Sequence, residues 1–97
     1  MSALQPDALT GKRVIVSGLV QGVGFRYSLA ERAKARDVAG WVRNRPDGSV
    51  EALLEGAGAE VEGLVDWCRA GPRGARVDRV EVYDERPSGL RGFTITV

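Results

Sequence analysis

The sequence predicts an α+β domain in which two helices cover one face of an antiparallel sheet. Five segments are β-branched or alternate apolar with polar residues, and two segments with apolar residues at helical spacing lie between them. The resulting order is βαββαβ plus a short C-terminal strand. Two successive split β-α-β units are typical of a ferredoxin-like α/β sandwich. The 97 residues suffice for one such two-layer domain.

The chain begins with a strand and a helix. Residues 12–18 are β-branched at the centre and end at a glycine, which predicts a strand with Val14 and Val16 on one face. Apolar residues at helical spacing begin after Gly24, and the helix is predicted to end near residues 36–37. Its buried face is predicted to carry Phe25, Leu29 and Ala33.

A β-hairpin is predicted next. Residues 38–42 are strand-like, and residues 45–48 (Arg-Pro-Asp-Gly) suit a tight reversal. The second strand, about residues 49–55, has one apolar face made of Val50, Ala52 and Leu54. Its other face carries Glu51 and Glu55, which are therefore expected to be exposed to water.

A second helix and two further strands are predicted after the hairpin. Two glycines open a helix whose apolar stripe consists of Val61, Leu64, Val65 and Cys68. Residues 71–74 (Gly-Pro-Arg-Gly) end that helix, and the following strand places Val80 and Val82 on one side. The last strand is predicted over residues 93–97. Residues 1–11 are interpreted as a flexible N-terminal arm, and residues 12–97 as the folded domain.

Composition excludes several kinds of site. The chain has no histidine, so a Ser-His-Asp or Cys-His site and a histidine-containing zinc site are excluded. Cys68 is the only cysteine, which excludes an internal disulfide and leaves a packing role for its thiol. The net charge of +1 and the lack of a long apolar run predict no nucleic-acid or membrane partner. We expect a cytoplasmic monomer.

An anion-binding loop is predicted between the first strand and the first helix. Two glycines, Gly22 and Gly24, let backbone N–H groups turn toward one point. The helix that follows adds unpaired N–H groups and the positive end of its dipole, and Arg26 adds a cationic fork. The expected ligand is a phosphate, held by the backbone amides of Gln21, Gly22, Val23, Gly24, Phe25 and Arg26.

Other uses of this architecture fit less well. An RNA-binding surface needs aromatic residues on the central strands, whereas the third strand presents Glu51 and Glu55. A metal-carrier domain needs paired cysteines where this chain has Gln-Gly-Val-Gly. Taken one at a time, the two glycines suit a simple turn and Arg26 suits a solvated helix surface. Their combination favours a phosphate site.

Two segments are similar to the two signatures of the acylphosphatase family. Residues 18–26 (GLVQGVGFR) resemble the first signature, residues 40–51 (GWVRNRPDGSVE) resemble the second, and residues 71–77 are also similar. The resemblance implies hydrolysis of an acyl phosphate to carboxylate and inorganic phosphate, which also acts as an inhibitor. It implies that Arg26 binds the phosphate and that Asn44 holds the attacking water. No metal or organic cofactor is implied.

Elementary chemistry is compatible with these roles. An acyl phosphate has a good leaving group, so positioning and charge stabilisation suffice for its hydrolysis. The Asn44 carboxamide can accept a hydrogen bond from water and donate one without titrating. The alternative is a non-catalytic phosphate- or acyl-phosphate-binding module, which would need Arg26 but not Asn44. A purely structural partner domain would need neither.

Overall fold

The computed structural model describes residues 9–97. Its elements, in chain order, are β1 (Leu9–Leu19), α1 (Phe25–Ala35), β2 (Ala39–Asn44), β3 (Val50–Ala57), α2 (Gly58–Cys68), β4 (Arg76–Asp84) and β5 (Phe93–Ile95). The predicted order and the ferredoxin-like α+β class are confirmed. β1 starts at Leu9, earlier than the predicted start of the domain. Residues 1–8 of the predicted N-terminal arm lie outside the described residues.

The sheet has the strand order β4-β1-β3-β2-β5. Its first four strands pair antiparallel, as expected, whereas β5 pairs parallel with β2. The reason is that β4 and β5 lie at opposite edges, so residues 85–92 must cross the sheet between them. β5 then runs beside β2 in the same direction. Within residues 9–97, neither helix is long and apolar enough to span a bilayer.

Both helices pack on one face of the sheet and form the core with it. The predicted apolar stripes of α1 and α2 are confirmed, since Phe25, Leu29, Ala33, Val61, Leu64, Val65 and Cys68 are all buried. They meet Val14, Val16, Val42, Val50, Ala52 and Leu54 from the sheet. Burial raises the pKa of Cys68 to about 12, in keeping with its predicted packing role. This core fixes the ends of β1 and β2 relative to α1.

The predicted exposure of Glu51 and Glu55 is wrong, because both side chains are buried on the helix-free face of the sheet. Glu51 pairs with Arg13 and Arg43, which flank it on neighbouring strands. Glu55 accepts hydrogen bonds from the crossing segment 85–92, described below. Alternation along one strand identifies the face of a residue but not what later covers that face.

At Gly18 in β1 and Gly40 in β2, the backbone of a neighbouring strand comes too close for a side chain. The register between β1 and β4 shifts at Ser17/Gly18, where a side chain on Gly18 would lie 2.2 Å from the Arg76 carbonyl oxygen. In β2, a side chain on Gly40 would lie 1.7 Å from the carbonyl oxygen of Leu53. Only glycine permits these close approaches of neighbouring strands.

Candidate active site

The loop between β1 and α1 leaves its backbone amides without side-chain partners. Gly22 and Gly24 have φ angles of 77° and 79°, in the left-handed region that favours glycine. A side chain on either glycine would meet no atom within 4 Å, so open space lies beside both. Gly24 is the N-cap of α1, and no side chain among the described residues 9–97 caps the helix. The first-turn N–H groups of α1 are therefore available to an anion.

Arg26 lies in the first turn of α1, where a cation is unfavourable next to the positive end of the helix dipole. That turn contains no acidic residue to offset it. Arg26 is half-buried and makes no ion pair with any other residue of the 9–97 region. This electrostatic arrangement suits a bound anion, which would interact favourably with both the dipole and the guanidinium.

Asn44 is the last residue of β2 and pairs with Val50 at the start of β3. It lies on the same face as Val42, which is fully buried beneath the helices. Its Oδ1 is buried and has no hydrogen-bond partner within residues 9–97. A buried carboxamide oxygen without a partner is unfavourable, so this atom has an unused capacity to accept a hydrogen bond.

The loop and the end of β2 meet at one cavity of about 210 Å³. It is lined by Val20, Gly22, Gly24, Phe25, Arg26, Tyr27 and Asn44. Five of the predicted site residues are therefore brought together by the fold. Antiparallel pairing explains why, since the C-terminal ends of β1 and β2 both lie beside the N-terminal end of β3.

Two predicted phosphate-binding residues, Gln21 and Val23, do not line the cavity. Val23 packs against the core, and the Gln21 side chain contacts the β2-β3 turn. Two lining residues, Val20 and Tyr27, were not predicted. Tyr27 could have been found from its place beside Arg26 in the first helical turn, whereas Val20 carries no chemical signal in the sequence.

A larger and more open depression of about 450 Å³ lies on the helix-free face of the sheet. It is lined by Trp41, Arg43, Glu51, Thr94, Thr96 and Val97, none of which was predicted to act on a ligand. The charged groups there are already engaged, because Arg43 and Glu51 form an ion pair of 2.7 Å. The smaller cavity is lined by Asn44, whose Oδ1 has no hydrogen-bond partner, and by Arg26, which has no ion-pair partner, in the part of the chain that the structure describes, and it is the better candidate site.

Comparison with known proteins agrees with this choice. The acylphosphatase family model matches residues 12–95. The chain belongs to the acylphosphatase family. An acylphosphatase of Trichormus variabilis is 56% identical over 84% of this chain and 81% of its own length. One from Chloroflexus aurantiacus is 50% identical over 90% of this chain and 96% of its own length.

A solved relative supports the same conclusion. The crystal structure of the Bacillus subtilis acylphosphatase superposes with a TM-score of 0.87 at 39% identity, covering 91% of this chain and 99% of that one. In this member of the acylphosphatase family, both signature-like segments contribute to the lining of the cavity: residues 18–26 provide the loop and Arg26, and residues 40–51 provide Asn44. Each segment forms one half of the candidate active site.

Proposed function

We propose that this member of the acylphosphatase family hydrolyses the carboxyl-phosphate bond of acyl phosphates, with the loop and Arg26 holding the phosphate and Asn44 holding the water. The observation that carries these roles is that the Asn44 side chain, whose Oδ1 has no hydrogen-bond partner in residues 9–97, lines the same cavity as Arg26 and the start of α1. The relatives named above support the reaction class.

The proposed reaction needs positioning and charge stabilisation. Water attacks phosphorus, the bond from phosphorus to the acyl oxygen breaks, and the carboxylate leaves with that electron pair. Arg26 and the backbone amides of the lining residues Gly22, Gly24 and Phe25 stabilise the negative charge on the phosphoryl oxygens. The Asn44 Oδ1 accepts a hydrogen bond from the attacking water and thereby orients it. Since a carboxamide is a poor base, the proton of the water passes to the substrate phosphate or to solvent.

The test is hydrolysis of benzoyl phosphate by the purified protein in the presence of a chelator. We expect turnover well above the buffer rate and competitive inhibition by inorganic phosphate. Arg26→Ala should weaken phosphate binding and turnover together, whereas Asn44→Ala should lower kcat while phosphate still binds. A folded wild-type protein no faster than buffer would contradict the proposal.

The same variants test the alternative of a non-catalytic binding module. Such a module would bind phosphate through Arg26 but would show no turnover, and Asn44→Ala would then change nothing. A structural partner domain would show no rise in melting temperature with phosphate, because only a ligand that binds the native state stabilises it. The buried, unpartnered Oδ1 of Asn44 favours the enzyme over both.

A monomeric state and a cytoplasmic location complete the proposal. One chain supplies Arg26, the loop and Asn44 around the cavity, so the proposed roles require no residue from a second copy. Sedimentation equilibrium checks the monomer, and a dimer at micromolar concentration would contradict it. Fractionation of cells that express the chain checks the location, for which the expected result is recovery with cytoplasmic marker enzymes.

A further inference from the structure

The side chain of Gln21 connects the two halves of the candidate site. Its Nε2 donates one hydrogen bond of 2.8 Å to the carbonyl oxygen of Arg45 and another of 3.0 Å to that of Ser49. A primary amide has two N–H donors, and both are used here. The bonds run from the phosphate-binding loop to the turn that directly follows Asn44.

The two acceptors are themselves the closing pair of that turn. Arg45 N donates to Ser49 O at 2.8 Å, and Gly48 N donates to Arg45 O at 3.1 Å. Gln21 therefore binds the turn at the point where its two strands meet. β1 and β2 are not neighbours, because β3 lies between them, and within residues 9–97 the only hydrogen bonds between loop residues 20–24 and turn residues 45–49 are the two that Gln21 donates.

Asn44 needs such support. Its Oδ1 has no hydrogen-bond partner within the described part of the chain, so no protein donor fixes the orientation of that oxygen. Its position relative to the phosphate then depends on the backbone of β2 and of the following turn. An error of about 1 Å in the position of a reacting group can lower a rate by about 100-fold. The distance between loop and turn therefore matters for turnover.

We propose that the Gln21 side chain is a positioning residue that sets the distance between the phosphate-binding loop and Asn44. This inference rests on the proposed function, because it assigns Asn44 to the attacking water. Gln21 contributes in a different way from the residues around it: its backbone belongs to the anion-binding loop, while its side chain holds the water-orienting half of the site in place.

The test compares Gln21→Met with the wild-type protein. Methionine has a similar length but no N–H donor, so the loop loses its bonds to the turn without a large change in shape. We expect kcat on benzoyl phosphate to fall by about 10- to 100-fold. Inhibition by inorganic phosphate should change by less than about 3-fold, because the proposed phosphate-binding groups all lie on the loop and the adjoining first turn of α1, whose positions relative to each other do not depend on the Gln21 side chain.

A double variant separates positioning from a general structural effect. If Gln21 acts through Asn44, adding Gln21→Met to Asn44→Ala should lower kcat by no more than about 2-fold, because residues that act as a unit are not additive. Equal loss in both backgrounds would overturn the inference.

Gln21→Glu provides a second readout. Its ionised carboxylate cannot donate, but its protonated form can, so its kcat relative to wild type should rise as the pH falls through the range where a carboxylate titrates.

Asp47→Ala is the matched control for the stability of the turn. The Asp47 carboxylate accepts hydrogen bonds from Ser49 N at 3.0 Å and Ser49 Oγ at 2.6 Å, so its loss loosens the tip of the turn but removes neither the two Gln21 bonds nor the bond from Arg45 N to Ser49 O beside Asn44. We expect kcat to change by less than about 3-fold. A fall as large as that of Gln21→Met would assign the effect to the turn alone and overturn the inference. Wild-type kcat in Gln21→Met would also overturn it, whereas an inactive wild type would contradict the proposed function.

Discussion

Asn44 and Glu51 lie near the same end of the sheet but on opposite faces, and their buried oxygen atoms are treated differently. The Glu51 carboxylate accepts hydrogen bonds from Arg43 at 2.9 Å and from Arg13 at 3.2 Å. The Asn44 Oδ1 has no partner within residues 9–97. Both residues belong to the β2-β3 hairpin, Asn44 at the end of β2 and Glu51 near the start of β3. Their environments differ because their side chains lie on opposite faces of the sheet.

Glu55 extends the comparison on the helix-free face. It is 4% exposed, and it accepts hydrogen bonds from Ser88 N at 2.8 Å, Ser88 Oγ at 3.1 Å and Leu90 N at 3.0 Å. Buried polar groups are normally satisfied in this way. The helix-free face therefore satisfies its buried carboxylates with protein donors, whereas the face with Asn44 has a buried acceptor without a partner in residues 9–97, as the proposed water-orienting role requires.

The largest effect is expected from Asn44→Leu. Leucine has a similar volume but no carboxamide, so kcat on benzoyl phosphate should fall by about 100- to 1,000-fold, as for loss of a transition-state hydrogen bond. The free energy of unfolding should stay the same or rise by about 1 kcal/mol, because an unpartnered buried oxygen is removed. Chemical denaturation and initial rates measure both. A clear loss of stability would show that the oxygen has a structural partner in solution.

Glu51→Ala should have the opposite outcome to Asn44→Leu: it should lower stability and leave turnover nearly unchanged. Glu51→Ala leaves Arg13 and Arg43 without their shared carboxylate, and we expect the free energy of unfolding to fall by about 1–3 kcal/mol. Because both arginines are partly exposed, water compensates for some of the loss. Turnover per folded molecule should stay close to wild type. A loss of activity as large as that of Asn44→Leu would break the distinction between the two faces.

A matched pair of glycine substitutions separates backbone strain from ligand binding. Gly22 and Gly74 both have left-handed φ angles, 77° and 94°, and a side chain on either would meet no atom within 4 Å. Alanine at either position should therefore cost about 1–2 kcal/mol of stability. Only Gly22→Ala places a methyl group beside the cavity, so it alone should weaken inhibition by phosphate, by about 10-fold. If inorganic phosphate inhibited both variants equally, the phosphate would bind at a place other than the cavity beside Gly22.

The smallest effect concerns acid stability. Burial acts to raise the pKa values of Glu51 and Glu55, but hydrogen bonds from Arg43 and Arg13 to the first, and from Ser88 and Leu90 to the second, outweigh it. Both pKa values are lowered from 4.5. Their stabilisation is then complete above the unfolded-state value and is lost as the pH falls through the lower folded-state pKa.

Urea unfolding of wild type and Glu55→Gln at pH 7 and pH 3 measures this effect. We expect the variant to be less stable at pH 7 and the difference between the two proteins to shrink at pH 3, which lies below the ordinary glutamate pKa, so that the unfolded wild-type chain takes up a proton at this position. Glu55→Gln keeps the shape of the side chain but removes its charge and one acceptor oxygen, so the part of the difference that changes with pH reports the charge. A difference that is the same at both pH values would show that the ionisation of Glu55 does not contribute to stability.

Patterns among residues close together in the chain were enough to predict the helices and strands and the phosphate-binding half of the candidate site. Helical spacing of Phe25, Leu29 and Ala33 identified the buried face of α1, and the glycine pattern at Gly22 and Gly24 located the loop before it. These signals depend on residues close together in the chain, whose geometry follows from backbone sterics and the helical repeat. The acylphosphatase resemblance added Asn44, which the pattern of residues alone did not distinguish from an ordinary strand end.

Only the tertiary structure decided which distant groups meet. It buried Glu51 against Arg13, and Glu55 beneath the segment that leads to β5, although alternation along β3 predicted water on that face. It also turned the Gln21 side chain toward the β2-β3 turn. These contacts join residues 24 to 38 positions apart, and no local propensity encodes them. The sequence by itself determined the parts of the site, and the strand order determined their distance from one another.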